Sequence, residues 1–222
     1  MGIVIVLLVT VLMSAIGAAL ALATAADMVI AGHFQRAQEA RHAAAGALEV
    51  AVGEFRGLPD WNGVLDGSVR SAHAEGPPSG VRTVAGQPID LGQLRSLLEC
   101  QQLAPCTDAA VAAVTADRPW GVDNPRWRLF RYGTWRAVAQ APSAFYVVVL
   151  VADDPSEQDG DPGRDGPAGT PGAGRVRARA EAFGPGGAHA AVGALLERNS
   201  LSPAEVRVLA WRFTAAGTPG QP

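Results

Sequence analysis

The densest concentration of reactive side chains is a run of carboxylates, Asp153, Asp154, Glu157, Asp159, Asp161 and Asp165, set among glycines and prolines. Anions packed this closely along a chain repel one another unless solvent, arginine or a hard cation neutralises them. Calcium takes roughly six to eight oxygen ligands, and the D-x-D spacing at Asp159 and Asp161, with glycines allowing tight curvature, suits such an ion. Asp154, Asp159, Asp161 and Asp165 are therefore the candidate calcium ligands, and calcium is the only cofactor the sequence suggests. The pattern departs from an EF-hand loop, and a solvated charged loop is the alternative reading.

Other chemistry is sparse. Cys100 and Cys106 have no histidine nearby, so a zinc site would lack half its ligands. Outside the cytoplasm a disulfide is their natural state, with free buried thiols as the alternative. The histidines His33, His42, His73 and His189 are scattered, and the chain holds no G-x-S-x-G, Walker loop, dinucleotide fingerprint or H-E-x-x-H. All 18 basic residues are arginine, which removes a lysine nucleophile or Schiff base. No catalytic residue is assigned, and the chain is not expected to be an enzyme. The formal charge of -3 gives no field that would attract nucleic acid, so none is expected as a partner. Arg126, Arg128, Arg131, Arg136, Arg175, Arg177 and Arg179 could form a basic face that pairs with the acidic loop.

These groups need elements to position them, and the strongest pattern lies at the other end of the chain. Residues 3–26 are 24 consecutive uncharged, mostly apolar residues, and twelve of them are Leu, Ile or Val. As a helix they span about 36 Å, against a hydrocarbon core of roughly 30 Å, with a favourable insertion term of about 4–7 kcal/mol. A cleaved signal would use Ala23, Thr24 and Ala25, but it lacks a basic start and a short apolar core; a plain signal anchor is the other competitor. No helix breaker follows until Gly57-Leu58-Pro59, and Phe34, Ala37, Ala44, Leu48, Val52 and Phe55 recur at helical spacing among polar residues. One helix over residues 3–56 is predicted, apolar all round in its first half and one-sided in its second. Ser14, Gly17, Ala18, Ala21, Ala25 and Gly32 would let other helices approach closely.

The stretch MGIVIVLLVTVLMSAIGAALALATAADMVIAGHFQRAQEARHAAAGALEVAV resembles the N-terminal region of PilX-type minor pilins of type IV pili. The features that match are Gly2 before the apolar run, the small residues that follow, and the A-x-x-A-x-x-A-A-x-x-A-L-E spacing of residues 37–49. RPWGVDNPRWRLFRYG, VVVLVADDPSEQDGDPGRDG and RAEAFGPGGA resemble later segments of the same family. The resemblance implies a structural pilus-assembly subunit, held in the bacterial inner membrane by a single pass, with its globular domain periplasmic or on a surface filament. It also implies partners: other pilins through the helix, the inner membrane and the pilus assembly platform. Prepilin peptidase would cut after Gly2 and leave Ile3 as the new N-terminus. Two features depart from the pattern: only Met1 precedes Gly2, and Leu7 stands where major pilins carry a glutamate, an acid that tip pseudopilins also lack. A minor pseudopilin of type II secretion and a membrane-tethered periplasmic binding or catalytic domain are the alternatives.

The chain thus divides into residues 1–26, the membrane or filament-core half of the helix; 27–57, its amphipathic half; and 58–222, an α+β domain with a Gly/Pro/Asp-rich loop at 153–174. Within that domain, residues 57–90 read as an extended surface segment pinned by Trp61, with short helices over 91–98 and 108–114, the second capped by Thr107. WRLFRY, TWRAVAQ, the β-branched FYVVVLV taken as the central strand, RVRARAEAF, HAAVGALLERN and an edge strand EVRVLAWRFTA complete an antiparallel sheet of four or five strands. A helix with one apolar stripe on a sheet with one apolar face is a two-layer, pilin-like α+β plan.

Overall fold

The computed structural model describes residues 2–114, 123–136, 142–167, 169–199 and 202–214. Helix α1, Gly2–Arg56, is one unbroken rod of 55 residues. Its buried residues are Ala40, Ala43, Ala44, Ala47, Leu48, Ala51, Val52 and Phe55. They fall at three- and four-residue intervals, so they share one face, and the alanines let the helix lie close to what it covers.

That covered surface is one face of a five-stranded antiparallel meander in the order β3-β4-β5-β6-β7. The strands are β3 (Arg128–Arg136), β4 (Pro142–Asp153), β5 (Arg175–Phe183), β6 (His189–Asn199) and β7 (Ser202–Thr214). Alternation sends Val176, Ala178, Ala180 and Ala182 of β5 and Ala190, Val192, Ala194 and Leu196 of β6 toward α1, where they complete the main core. The fold class and strand number agree with the sequence reading, while the position of FYVVVLV differs slightly. It lies in β4, the second strand of the order, and β5 is the middle one. WRLFRY and the start of TWRAVAQ run together as β3, and residues 137–141 lie outside the described residues.

The end of the rod is locked to the sheet by aromatics. Phe55 stacks on Phe130 of β3 with centroids 4.9 Å apart and meets Trp61 edge-on at 5.6 Å. The Arg198 guanidinium lies over Trp61 at 4.6 Å and donates to the Pro59 carbonyl at 2.8 Å. Trp61, expected to pin this segment, is fully buried at the start of α2 (Asn62–Leu65).

A further partial layer covers the opposite face of the sheet, beyond the two-layer plan. The hairpin β1 (Val81–Val84) and β2 (Gln87–Asp90) leads into α3 (Leu91–Cys100), whose first turn is capped by Asp90 accepting from the Gly92 and Gln93 amides. Val84, Ile89, Leu91 and Leu94 pack against Leu129, Tyr132, Tyr146, Val148 and Leu150, forming a second core over β3 and β4. Helix α4 (Asp108–Val114) follows, with Thr107 Oγ1 accepting from the Ala110 amide at 3.1 Å. The free edge of β3 is sealed: the Ser71 and Glu75 amides donate to the Phe130 and Tyr132 carbonyls, and Glu75 accepts from the Thr134 amide.

Candidate functional site

Helix α1 presents two surfaces of different character. Beyond its sheet-bound stripe, Ile3, Leu8, Leu12, Leu20, Met28 and Ile30 are 79%, 67%, 57%, 63%, 75% and 65% exposed, so no described part of the chain covers the apolar half. Its best 18-residue window has mean hydropathy 2.8 with none of it buried, and it is the one described helix long and apolar enough to cross a membrane. Gly2 and Ile3, the candidate processing pair, stand at the exposed start of this helix. Thr10, Ser14 and Thr24 return their hydroxyls to carbonyls a turn earlier, which leaves no polar group projecting unpaired from the apolar half.

The acidic loop sits at the opposite end of the sheet, wrapped round Glu157, a side chain 1% exposed. Asp154 Oδ2 accepts from Ser156 Oγ at 2.8 Å, and its Oδ1 lies 3.6 Å from Arg177 Nε. Asp159 Oδ1 accepts from the Asp161 amide at 2.9 Å, and Asp161 Oδ1 from the Gly163 amide at 3.2 Å. Asp165 Oδ1 accepts from the Gly174 amide at 2.6 Å, while its own amide donates to Asn62 Oδ1 at 2.9 Å. Each expected calcium ligand is thus engaged in a local turn or an ion pair. Among the described residues no three His, Cys, Asp or Glu side chains are grouped to hold a metal ion.

What does gather here is the buried part of that run, Asp153, Glu157 and the half-buried Asp165, whose burial the sequence did not signal. Asp153, 3% exposed, has its pKa pushed up to about 8, first by burial and then by the Glu157 carboxylate. Burial also raises Glu157, with Asp165 and Asp159 adding to it, and burial raises Asp165 against the opposing Gly174 amide. Glu157 Oε1 receives Thr170 Oγ1 at 3.3 Å, whereas Oε2 has no hydrogen-bond partner among the described residues. Retained protons are the simplest relief for carboxylates held this way. No periodicity announces such burial, because it comes from the loop folding back on itself.

Of the basic face expected to meet this loop, Arg177 does so through Asp154. Arg175 pairs with Glu197 at 2.9 Å, Arg126 with Asp108 at 2.9 Å, and Arg131 lies 3.7 Å from Glu54. Arg179 Nε donates to Glu181 Oε1 at 2.7 Å, and His189 Nε2 lies 2.9 Å from Glu181 Oε2. Glu181 is fully buried, and burial alone would raise its pKa; the His189 hydrogen bond and the Arg179 charge together hold it below the usual carboxylate range. Arg179 and Glu181 share a face of β5 by strand alternation, and the register of β5 against β6 brings His189 to them.

Cys100 and Cys106 form the expected disulfide, with Cα atoms 6.0 Å apart, tying the end of α3 to the loop before α4. Compared with known proteins, the chain matches no family model, and no curated protein or solved structure is significantly similar to it.

Proposed function

We propose that the chain is a structural minor pilin-like subunit of a type IV pilus or related filament, held in the bacterial inner membrane before assembly with its globular domain outside the cytoplasm. The observation that carries this reading is the division of α1: one unbroken helix whose first half exposes apolar side chains all round and whose second half buries a single stripe on the sheet. A tether alone needs the first property. A subunit that transfers from lipid into a helical bundle needs both, because the rod must stay rigidly joined to the domain while its surroundings change. Small residues at Gly17, Ala18, Ala21 and Ala25 support close helix approach, since hydrocarbon gives apolar helices no drive to associate. The likeness to PilX-type sequences supports the same reading, with other pilins and the assembly platform as partners.

The test is to replace residues 3–26 with an unrelated transmembrane helix of equal length. A filament subunit keeps its membrane attachment and loses assembly and pull-down with other pilins. A tethered periplasmic binding or catalytic domain keeps its function, and that result would overturn the proposal. A gene neighbourhood of type II secretion components would move the assignment to a minor pseudopilin.

A further inference from the structure

The outer face of the sheet is covered by α3 and the β1–β2 hairpin only over β3 and β4, which leaves a groove of about 440 Å³ above β5, β6 and β7. A volume of that size lies in the range of small-molecule sites and holds roughly fifteen water-sized groups at ~30 Å³ each. Leu97 and Leu98 of α3, Trp127, Leu195 and Ala210 give it an apolar lining.

The floor is polar at one place. Arg179 pairs with Gly193 and Gly193 with Arg212, so the two arginines stand in one row across three strands, ~10 Å apart at their Cα atoms, with glycine between them. A Cβ added at Gly193 would meet nothing nearer than the Ala178 carbonyl oxygen at 3.9 Å, so the space between the arginines is open. Arg179 is oriented by its bond to Glu181, which is steadied in turn by His189. Arg212 is exposed and has no hydrogen-bond or ion-pair partner among the described residues. The carboxylate in the lining, Glu99, is buried on α3 with its pKa raised by that burial and its charge 3.7 Å from Arg95, so it opposes an entering anion little.

We propose that this groove binds a small apolar monocarboxylate, its hydrocarbon laid against Leu97, Leu98 and Trp127 and its carboxylate seated over Gly193 between Arg179 and Arg212. Planar guanidinium groups match a carboxylate in geometry and charge, and a charge-assisted hydrogen bond is stronger than a neutral one. The apolar walls account for the preference for a carboxylate that carries a hydrophobic body over acetate or an inorganic anion. The site lies on the face of the sheet away from α1, so it is independent of the filament reading.

The experiment uses the full chain in lipid nanodiscs, titrated with 4-phenylbutyrate and with its neutral amide by ligand-observed NMR, with empty nanodiscs measured alongside. The acid is expected to bind about tenfold or more tighter than the amide. Arg212→Ala abolishes that preference, and Gly193→Leu, which grows into open space, blocks both probes while the thermal midpoint is retained. Arg207→Ala, on a residue paired with Glu205 and outside the lining, leaves binding unchanged. Equal affinity for acid and amide, no binding of the acid, or an unaltered preference in Arg212→Ala would each overturn the proposal.

Discussion

Asp153 offers the sharpest reading of the buried loop charges. It closes β4 at 3% exposure, its Oδ1 accepts from the Asp154 amide at 2.9 Å, and its pKa stands at about 8 because of burial and the neighbouring Glu157. An unfolded aspartate titrates near ~3.9, so about four units separate the two states, worth on the order of 5 kcal/mol. Since the folded value is the higher, this stability is fully present below about pH 4 and is lost as pH rises through about 8. Glu157 and Asp165, also raised, steepen the fall, whereas Glu181, held low, gives the opposite slope only in the acid range. Asp153→Asn keeps the Oδ1 acceptor and removes the charge. Urea unfolding followed by tryptophan fluorescence at pH 4, 6 and 8 is the assay, because urea adds no ions. The variant should match its parent at pH 4 and exceed it by several kcal/mol at pH 8. A parent whose stability is flat from pH 5 to 8, or a variant no more stable than the parent at pH 8, would refute the reasoning.

Other outcomes follow from packing. Phe55→Ala removes a fully buried ring from between Trp61 and Phe130 and should cost about 3–5 kcal/mol in the same urea assay, with Phe55→Leu costing markedly less. Cys100→Ser opens a short loop and should cost roughly 2 kcal/mol relative to the oxidised chain, with no difference once both are reduced. Glu75→Ala withdraws the acceptor from the Thr134 amide at the sealed edge of β3 and should cost about 1 kcal/mol, and faster hydrogen exchange at Thr134 would register it directly. Adding calcium or a chelator should leave the thermal midpoint unchanged, because Asp154, Asp159, Asp161 and Asp165 each already accept from a local donor; a rise with calcium would restore that site.

Patterns that repeat along the chain are legible in the sequence itself. Of the stripe read over Phe34, Ala37, Ala44, Leu48, Val52 and Phe55, the last four are buried on the sheet, whereas Phe34 and Ala37 are exposed because the helix has passed beyond the strands there; RVRARAEAF alternates with strand period, and Thr107 precedes its helix as a cap should. Each is a local signal, set by neighbours a few residues away. Features that depend on how distant segments are brought together were not readable. The β1–β2 hairpin and α3 fold across the outer face of β3 and β4, and nothing in residues 57–90 says which side of the sheet they take. Glu157 is one carboxylate among many in sequence, and it becomes a buried one only when the loop closes over it. The row of Arg179, Gly193 and Arg212 exists through two successive strand registers, β5 with β6 and β6 with β7, which a bulge beside Leu195 helps to set.

A nitroxide scan along residues 8–55 of the full chain in lipid nanodiscs tests most directly whether α1 is one rod spanning two environments. Positions 8–22 should be open to oxygen and closed to a water-soluble nickel reagent on every face. From residue 40 onward, labels should be immobile at Ala40, Ala44, Leu48 and Phe55 and mobile between them, with helical period. Nickel access throughout positions 8–22, or loss of the immobile stripe after residue 40, would contradict it.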